Sequence, residues 1–170
     1  MIGSALYRVQ INVKAVPDKH WRAIGSNWKL ATSYRYLSGA FLSASTGVDR
    51  ALNGSGNQRP DQILANPLCD NPRPTCWINP AAFAQPAFGT LGNSGRSSIP
   101  GPTYFSIDSA LSRVFVIREG KTVEVRAEAF NLTNSFRSNA PSTNRSSPQF
   151  GQILTAQDPR IMQVAAKFFF

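Results

Sequence analysis

The chain has 170 residues and a mass of 18.5 kDa, enough for one domain or a piece of a larger one. Twelve prolines, twelve glycines and no apolar run longer than four residues exclude a collagen-like chain and a membrane-spanning helix, which needs about 20 apolar residues. Charged residues make up only 16% yet leave a net charge of +9, and the 13 arginines are scattered with no two basic residues adjacent, so neither a phosphate-tracking stripe nor a nucleic-acid partner is expected.

The opening Met1-Ile2-Gly3-Ser4 has no basic stretch ahead of an apolar core, so no secretory leader is read there. Val9, Ile11 and Val13 alternate with Arg8, Gln10, Asn12 and Lys14, which predicts a strand over about 5–14. Residues 15–27 are a short link. Trp28, Leu30, Tyr34 and Tyr36 then alternate with Lys29, Ser33 and Arg35, predicting a strand over 27–46. Its aromatics, with Trp21, suit either an interfacial girdle or core packing.

Residues 47–102 form a link of 56 residues with eight prolines and seven glycines. It holds Cys69 and Cys76, which with one histidine in the chain cannot complete a four-ligand zinc site. Either a disulfide closes a short loop there, implying an oxidising compartment, or two thiols stand free.

A hairpin follows. Phe105, Ile107, Leu111 and Phe115 oppose Ser106, Asp108 and Ser112 over 103–117, and Val123, Val125, Ala127 and Ala129 oppose Glu124, Arg126 and Glu128 over 121–132. Gly120 in the tetrapeptide Arg118-Glu119-Gly120-Lys121 supplies the tight turn. A second long link, 133–159, leads to a last strand over 160–170, where Met162, Val164, Ala166, Phe168 and Phe170 share a parity.

The fold class expected is therefore all-β: an antiparallel up-and-down meander of about five strands, with short and long links alternating. That rhythm sets the short turns at one end and the long loops, 47–102 and 133–159, at the other, as in a transmembrane outer-membrane β-barrel. Glu124, Arg126 and Glu128 would face a watery lumen and the apolar parity would face outer-membrane lipid. The terminal Phe170, with Phe168, Ala166, Val164 and Met162 behind it, is similar to the signal by which the barrel-assembly machinery recognises its clients. A secreted β-sandwich binding or adhesin module is the alternative.

No catalytic constellation is visible, and neither an enzyme nor a cofactor is expected. His20 has Asp18 nearby but no Gly-x-Ser-x-Gly turn. Glu124 and Glu128, four strand residues and so roughly 13 Å apart, are too distant for paired-carboxylate work. Gly92-Asn93-Ser94-Gly95-Arg96 lacks the Lys-Ser/Thr of a phosphate loop. Asn131-Leu132-Thr133 is a formal glycosylation acceptor, discounted at a strand end.

Several motifs are more specific. Gly47-Val48-Asp49-Arg50, Asn57-Gln58-Arg59-Pro60, Trp77-Ile78-Asn79-Pro80-Ala81-Ala82-Phe83, Gly89-Thr90-Leu91-Gly92-Asn93 with Gly95-Arg96, Arg126 to Asn134, Phe150-Gly151-Gln152-Ile153 and Asp158 to Gln163 resemble the C-terminal barrel of Oar-like TonB-dependent receptors, the type with a carboxypeptidase-regulatory-like domain. The resemblance covers about residues 27–170. It implies a 22-stranded barrel with an N-terminal plug that takes up a bulky nutrient across the outer membrane of a Gram-negative-type bacterium. With five strands and no plug domain, the chain is expected to be an incomplete C-terminal fragment, not competent for transport alone. TonB would be a partner only through the missing N-terminal regions, and the imported substrate is not identified.

Overall fold

A computed structural model of the chain describes residues 2–11 and 27–170. In chain order its strands are β1 Ile2–Ile11, β2 Trp28–Leu37, β3 Phe41–Leu42, β4 Asp61–Gln62, β5 Leu68–Arg73, β6 Cys76–Ile78, β7 Phe83–Ala84, β8 Ile99–Pro100, β9 Tyr104–Arg118, β10 Lys121–Phe130 and β11 Ile161–Phe169. A single turn of 3-10 helix, Pro80–Ala82, is the one helical element among the described residues, and no helix there is long and apolar enough to cross a membrane.

The five long strands make one antiparallel sheet in the order β1-β2-β9-β10-β11. A sandwich would divide them between two layers. β1, β2 and β10 have ten residues each, the length that crosses the hydrocarbon when a strand is tilted, about 9–11 residues. Gly120, at φ +76°, closes the β9–β10 turn, and a register shift follows between Lys121 and Thr122. β1 and β11 are the two edges of the sheet.

The chain divides into two compact units, the sheet (residues 1–37, 105–136 and 158–170) and a loop unit (38–104 and 137–157). They differ in what holds them together. The sheet unit has a single buried apolar residue among those described, Ala129; Trp28, Leu30, Leu111 and Val123 are half-buried and many other large apolar side chains lie open, with Val164 78% and Met162 70% exposed. The loop unit packs a small core of Ala44, Ile78, Ala82, Phe83, Ile99 and Phe150. Phe83 and Phe150 meet edge to face at 5.7 Å, and Arg145 donates Nε to the Phe83 carbonyl at 2.8 Å.

Several expected boundaries move. The first strand lies at 2–11 rather than 5–14, with 12–14 outside the described residues. The strand expected over 27–46 stops at Leu37, because Phe41 and Leu42 pair instead with Pro100 and Ile99 inside the loop unit. The strand expected to reach 132 stops at Phe130: Asn131 turns left-handed at φ +50° and its amide closes on Ser135, giving 3.0 Å to the carbonyl and taking its N–H at 2.9 Å. β9 runs 104–118 and β11 161–169.

The two long links are not plain loops. The first holds β4 to β8, with β4 paired to β7, β5 to β6, and β8 to β3 just ahead of the link, and the second is ordered by backbone bonds such as Ser142 N–H to the Gln152 carbonyl at 2.9 Å. Their order rests on bonds between distant residues, such as Ser146 Oγ to the Thr46 carbonyl at 2.7 Å.

Candidate functional site

Successive strand residues point to opposite faces, so the register sorts the sheet into two surfaces. Val123, Val125, Ala127 and Ala129 stand opposite Phe168, Ala166, Val164 and Met162 of β11. On their other side Val123 and Ala127 meet Phe115 and Leu111 of β9. The Thr32–Ser109 hydroxyl bond, 3.1 Å, brings Trp28, Leu30, Tyr34 and Tyr36 onto this same face. From β1, Tyr7 and Val9 pair with Thr32 and Leu30 and are more than half exposed. One surface is thus mainly apolar across all five strands, with Thr32 and Ser109 as polar exceptions, and four of the five residues of the expected C-terminal signal lie on it.

Trp28 and Tyr36 sit eight residues apart on β2, roughly 26 Å along the strand, with Leu30 and Thr32 between them. Tyr34 and Tyr36 are exposed, which rules out core packing within this chain and matches aromatic rings flanking an apolar band about 25 Å tall. Trp21 and His20 lie outside the described residues.

Arg113 breaks the apolar parity, and alternation alone did not reveal it. Its guanidinium lies 4.5 Å from the Phe115 ring centre and 5.7 Å from that of Trp28, and it is 8% exposed. Aromatic faces shield the charge on a mainly apolar surface.

The opposite face carries the charges. Glu124, Arg126 and Glu128 stand across from Lys167, Ala165 and Gln163 of β11 and from Val114, Ser112 and Ala110 of β9. Arg126 pairs with Glu128, which also accepts from the Gln163 side-chain amide. A depression of about 340 Å³ lies between Lys29, Ala31, Ala110, Ser112 and Arg126. This face becomes apolar towards the strand ends, at Val116, Phe130, Ile161 and Phe169.

In the loop unit Cys69 and Cys76 form a disulfide, Cα to Cα 6.0 Å, across the β5–β6 hairpin. A depression of about 560 Å³ in this unit is lined by Ser43, Ser45, Asn57, Arg59, Leu91 and Arg96 among others. Gln58 forms its floor. Its side-chain oxygen takes the N–H groups of Arg50 (2.8 Å) and Ala51 (2.9 Å), and its amide gives to Asp49 (2.6 Å) and Asn53 (2.8 Å). Burial raises the Asp49 pKa, but N–H donors from Gly54, Asn53 and Leu52 and the Gln58 amide outweigh it and hold the carboxyl below its usual value.

Asn131 is fully buried with its amide bonded to Ser135, so it is no glycan acceptor in this fold. Of the residues that line the loop depression, Asn57, Gln58, Arg59, Leu91 and Arg96 fall within motifs quoted for the resemblance, but nothing in their spacing places them together.

A family model described as outer membrane beta barrel domain matches residues 4–163. The match takes in the first strand, which the motif resemblance did not reach. Neither curated proteins nor solved structures return a match.

Proposed function

The chain belongs to the outer membrane beta barrel domain family and lies in the outer membrane, and from that premise we propose that it forms part of the barrel of a TonB-dependent receptor of the Oar-like type, taking up a bulky nutrient. The observation that carries this reading is the five-stranded sheet, apolar on one face, charged on the other and open at both edges. Lipid would cover the apolar face, and the face of Glu124, Arg126 and Glu128 would line the lumen.

Strand arithmetic supports an incomplete barrel. Open edges are not tolerated in hydrocarbon, and the smallest closed barrels have about eight strands. In an antiparallel meander of five, β1 and β11 run the same way. Copies of this sheet joined edge to edge would therefore meet in parallel seams. An all-antiparallel barrel needs an odd number of added strands, at least about three on the eight-strand minimum. Strands of the same receptor, outside this sequence, supply them in this reading.

The motifs spread over 27–170 support the Oar-like assignment. An antibody against residues 47–102 should detect, in isolated outer membranes, a heat-modifiable protein well above the 18.5 kDa of this chain. Disrupting its gene should abolish uptake of its nutrient, as should loss of TonB. A product of 18.5 kDa released without detergent overturns the reading.

A further inference from the structure

We propose that the depression in the loop unit is a binding site for an acidic oligosaccharide, a ligand carrying a carboxylate or sulfate beside several hydroxyls. The inference deepens the receptor reading by naming a ligand class, and rests on it only in taking the loop unit as exposed to water.

Three segments build the depression, and backbone contacts lace them together. The Thr46 N–H donates to the Gln58 carbonyl at 2.7 Å, the Ser94 N–H to the Pro60 carbonyl at 3.0 Å, and the Ser97 N–H to Ser43 Oγ at 2.7 Å. Asn93 and the Asp61–Gln62 strand exchange two further bonds, 2.7 and 3.0 Å. Gly92 lies so close to the Arg59–Pro60 backbone that a Cβ there would meet the Arg59 carbonyl oxygen at 2.2 Å. The walls are thus fixed before any ligand arrives, which spares a ligand the cost of ordering them.

The chemistry of the lining selects the ligand. Arg59 and Arg96 are the charged residues on the wall, both exposed, and no carboxylate lines it. Asp49, the nearby acid, is held by Gly54, Asn53 and Gln58. Guanidinium forks match the paired oxygens of a carboxylate or sulfate. Ser43, Ser45, Ser55, Asn53 and Asn57 supply hydroxyl and amide groups that suit sugar hydroxyls, and Leu91, 69% exposed, offers an apolar edge for a ring face. A volume of about 560 Å³ falls within the range of small-molecule sites.

The complete outer-membrane protein, purified in detergent, is titrated calorimetrically with trigalacturonate, with neutral maltotriose and with sodium sulfate alone. Trigalacturonate should bind, R59Q and R96Q should each weaken it at least tenfold, and R59K and R96K should weaken it less. Circular dichroism and an intact Cys69–Cys76 bond establish that each variant is folded. Equal binding of maltotriose, sulfate binding as tight as trigalacturonate, or indifference to both glutamine variants overturns the site. Binding does not require TonB, so trigalacturonate bound by a protein whose loss leaves uptake unchanged would sink the transport reading and keep the site. Absent binding with intact TonB-dependent uptake would do the reverse.

Discussion

Gln58 holds Asp49 through a 2.6 Å bond from its side-chain amide while its oxygen takes two backbone N–H groups, so one 6%-exposed side chain ties residues 49–53 to 58. Gln58→Leu keeps the size and removes all of these bonds, leaving donors and acceptors with poor access to water. The expected loss is about 3 kcal/mol of loop-unit stability, at about 1 kcal/mol for each of the three bonds to neutral groups. Limited proteolysis should cut within 47–62 at least tenfold faster, with the far-ultraviolet sheet signal unchanged. Cleavage at the parent rate would refute this role for Gln58.

The same network makes the loop unit acid-sensitive. The Asp49 carboxyl titrates below its ordinary 3.8 in the folded protein. A depressed folded pKa stabilises at pH above the unfolded value, and that contribution is lost as pH falls through the folded one. Loop-unit protection from hydrogen exchange should therefore be flat from neutrality down to about pH 4 and drop below it. In Asp49→Asn the drop should shrink. An equal acid response in that variant would assign the sensitivity to another carboxylate.

How much of this was legible in the sequence follows from where order comes from. The β9–β10 hairpin could be read because Val123 to Ala129 and Glu124 to Glu128 differ in polarity at every step, and a period of two survives in the sequence. The sequence extends β2 too far because residues past Leu37 keep a strand-like composition while the partners of Phe41 and Leu42, Pro100 and Ile99, lie nearly 60 positions on. The loop unit was opaque for the same reason. Its bonds join Thr46 to Ser146 and Gln85 to Thr46, pairings with no periodic trace. Arg59 and Arg96 share one depression only because Gly92 lets two backbones touch. Yet the motifs that carry the resemblance contain the pins of that unit: Asp49, Gln58, Asn79, Phe83 and Gly92 each hold a segment in place. Family wording preserved what periodicity could not.

Two glycines with similar backbone angles should respond differently to the same change. Gly151 sits at φ +80° and a Cβ there would meet the Ile78 carbonyl oxygen at 2.1 Å, where its own carbonyl takes the N–H groups of Trp77 and Ile78. Gly54 sits at φ +81° with open space around it. Gly54→Ala should cost about 1–2 kcal/mol, the left-handed penalty alone. Gly151→Ala adds a backbone collision and should cost about 4 kcal/mol or more, in the range reserved for severe strain. Thermal unfolding of the two variants decides it, and equal losses would refute the close approach.

The two faces of β11 give the sharpest test of the membrane reading. Val164 pairs with Ala127 on the apolar face, and its neighbour Ala165 pairs with Arg126 on the charged one. Both sit at mid-strand on an edge, so their settings differ mainly in which side they face. An arginine on the lipid side costs about 2–4 kcal/mol near the bilayer midplane, while lumen positions accept charge. In the complete outer-membrane protein, Val164→Arg should lower folded yield and bring unfolding to lower urea concentration. Ala165→Arg should leave both within a factor of two. The same loss at both positions would mean that neither face meets lipid, and the reverse order would turn the barrel inside out.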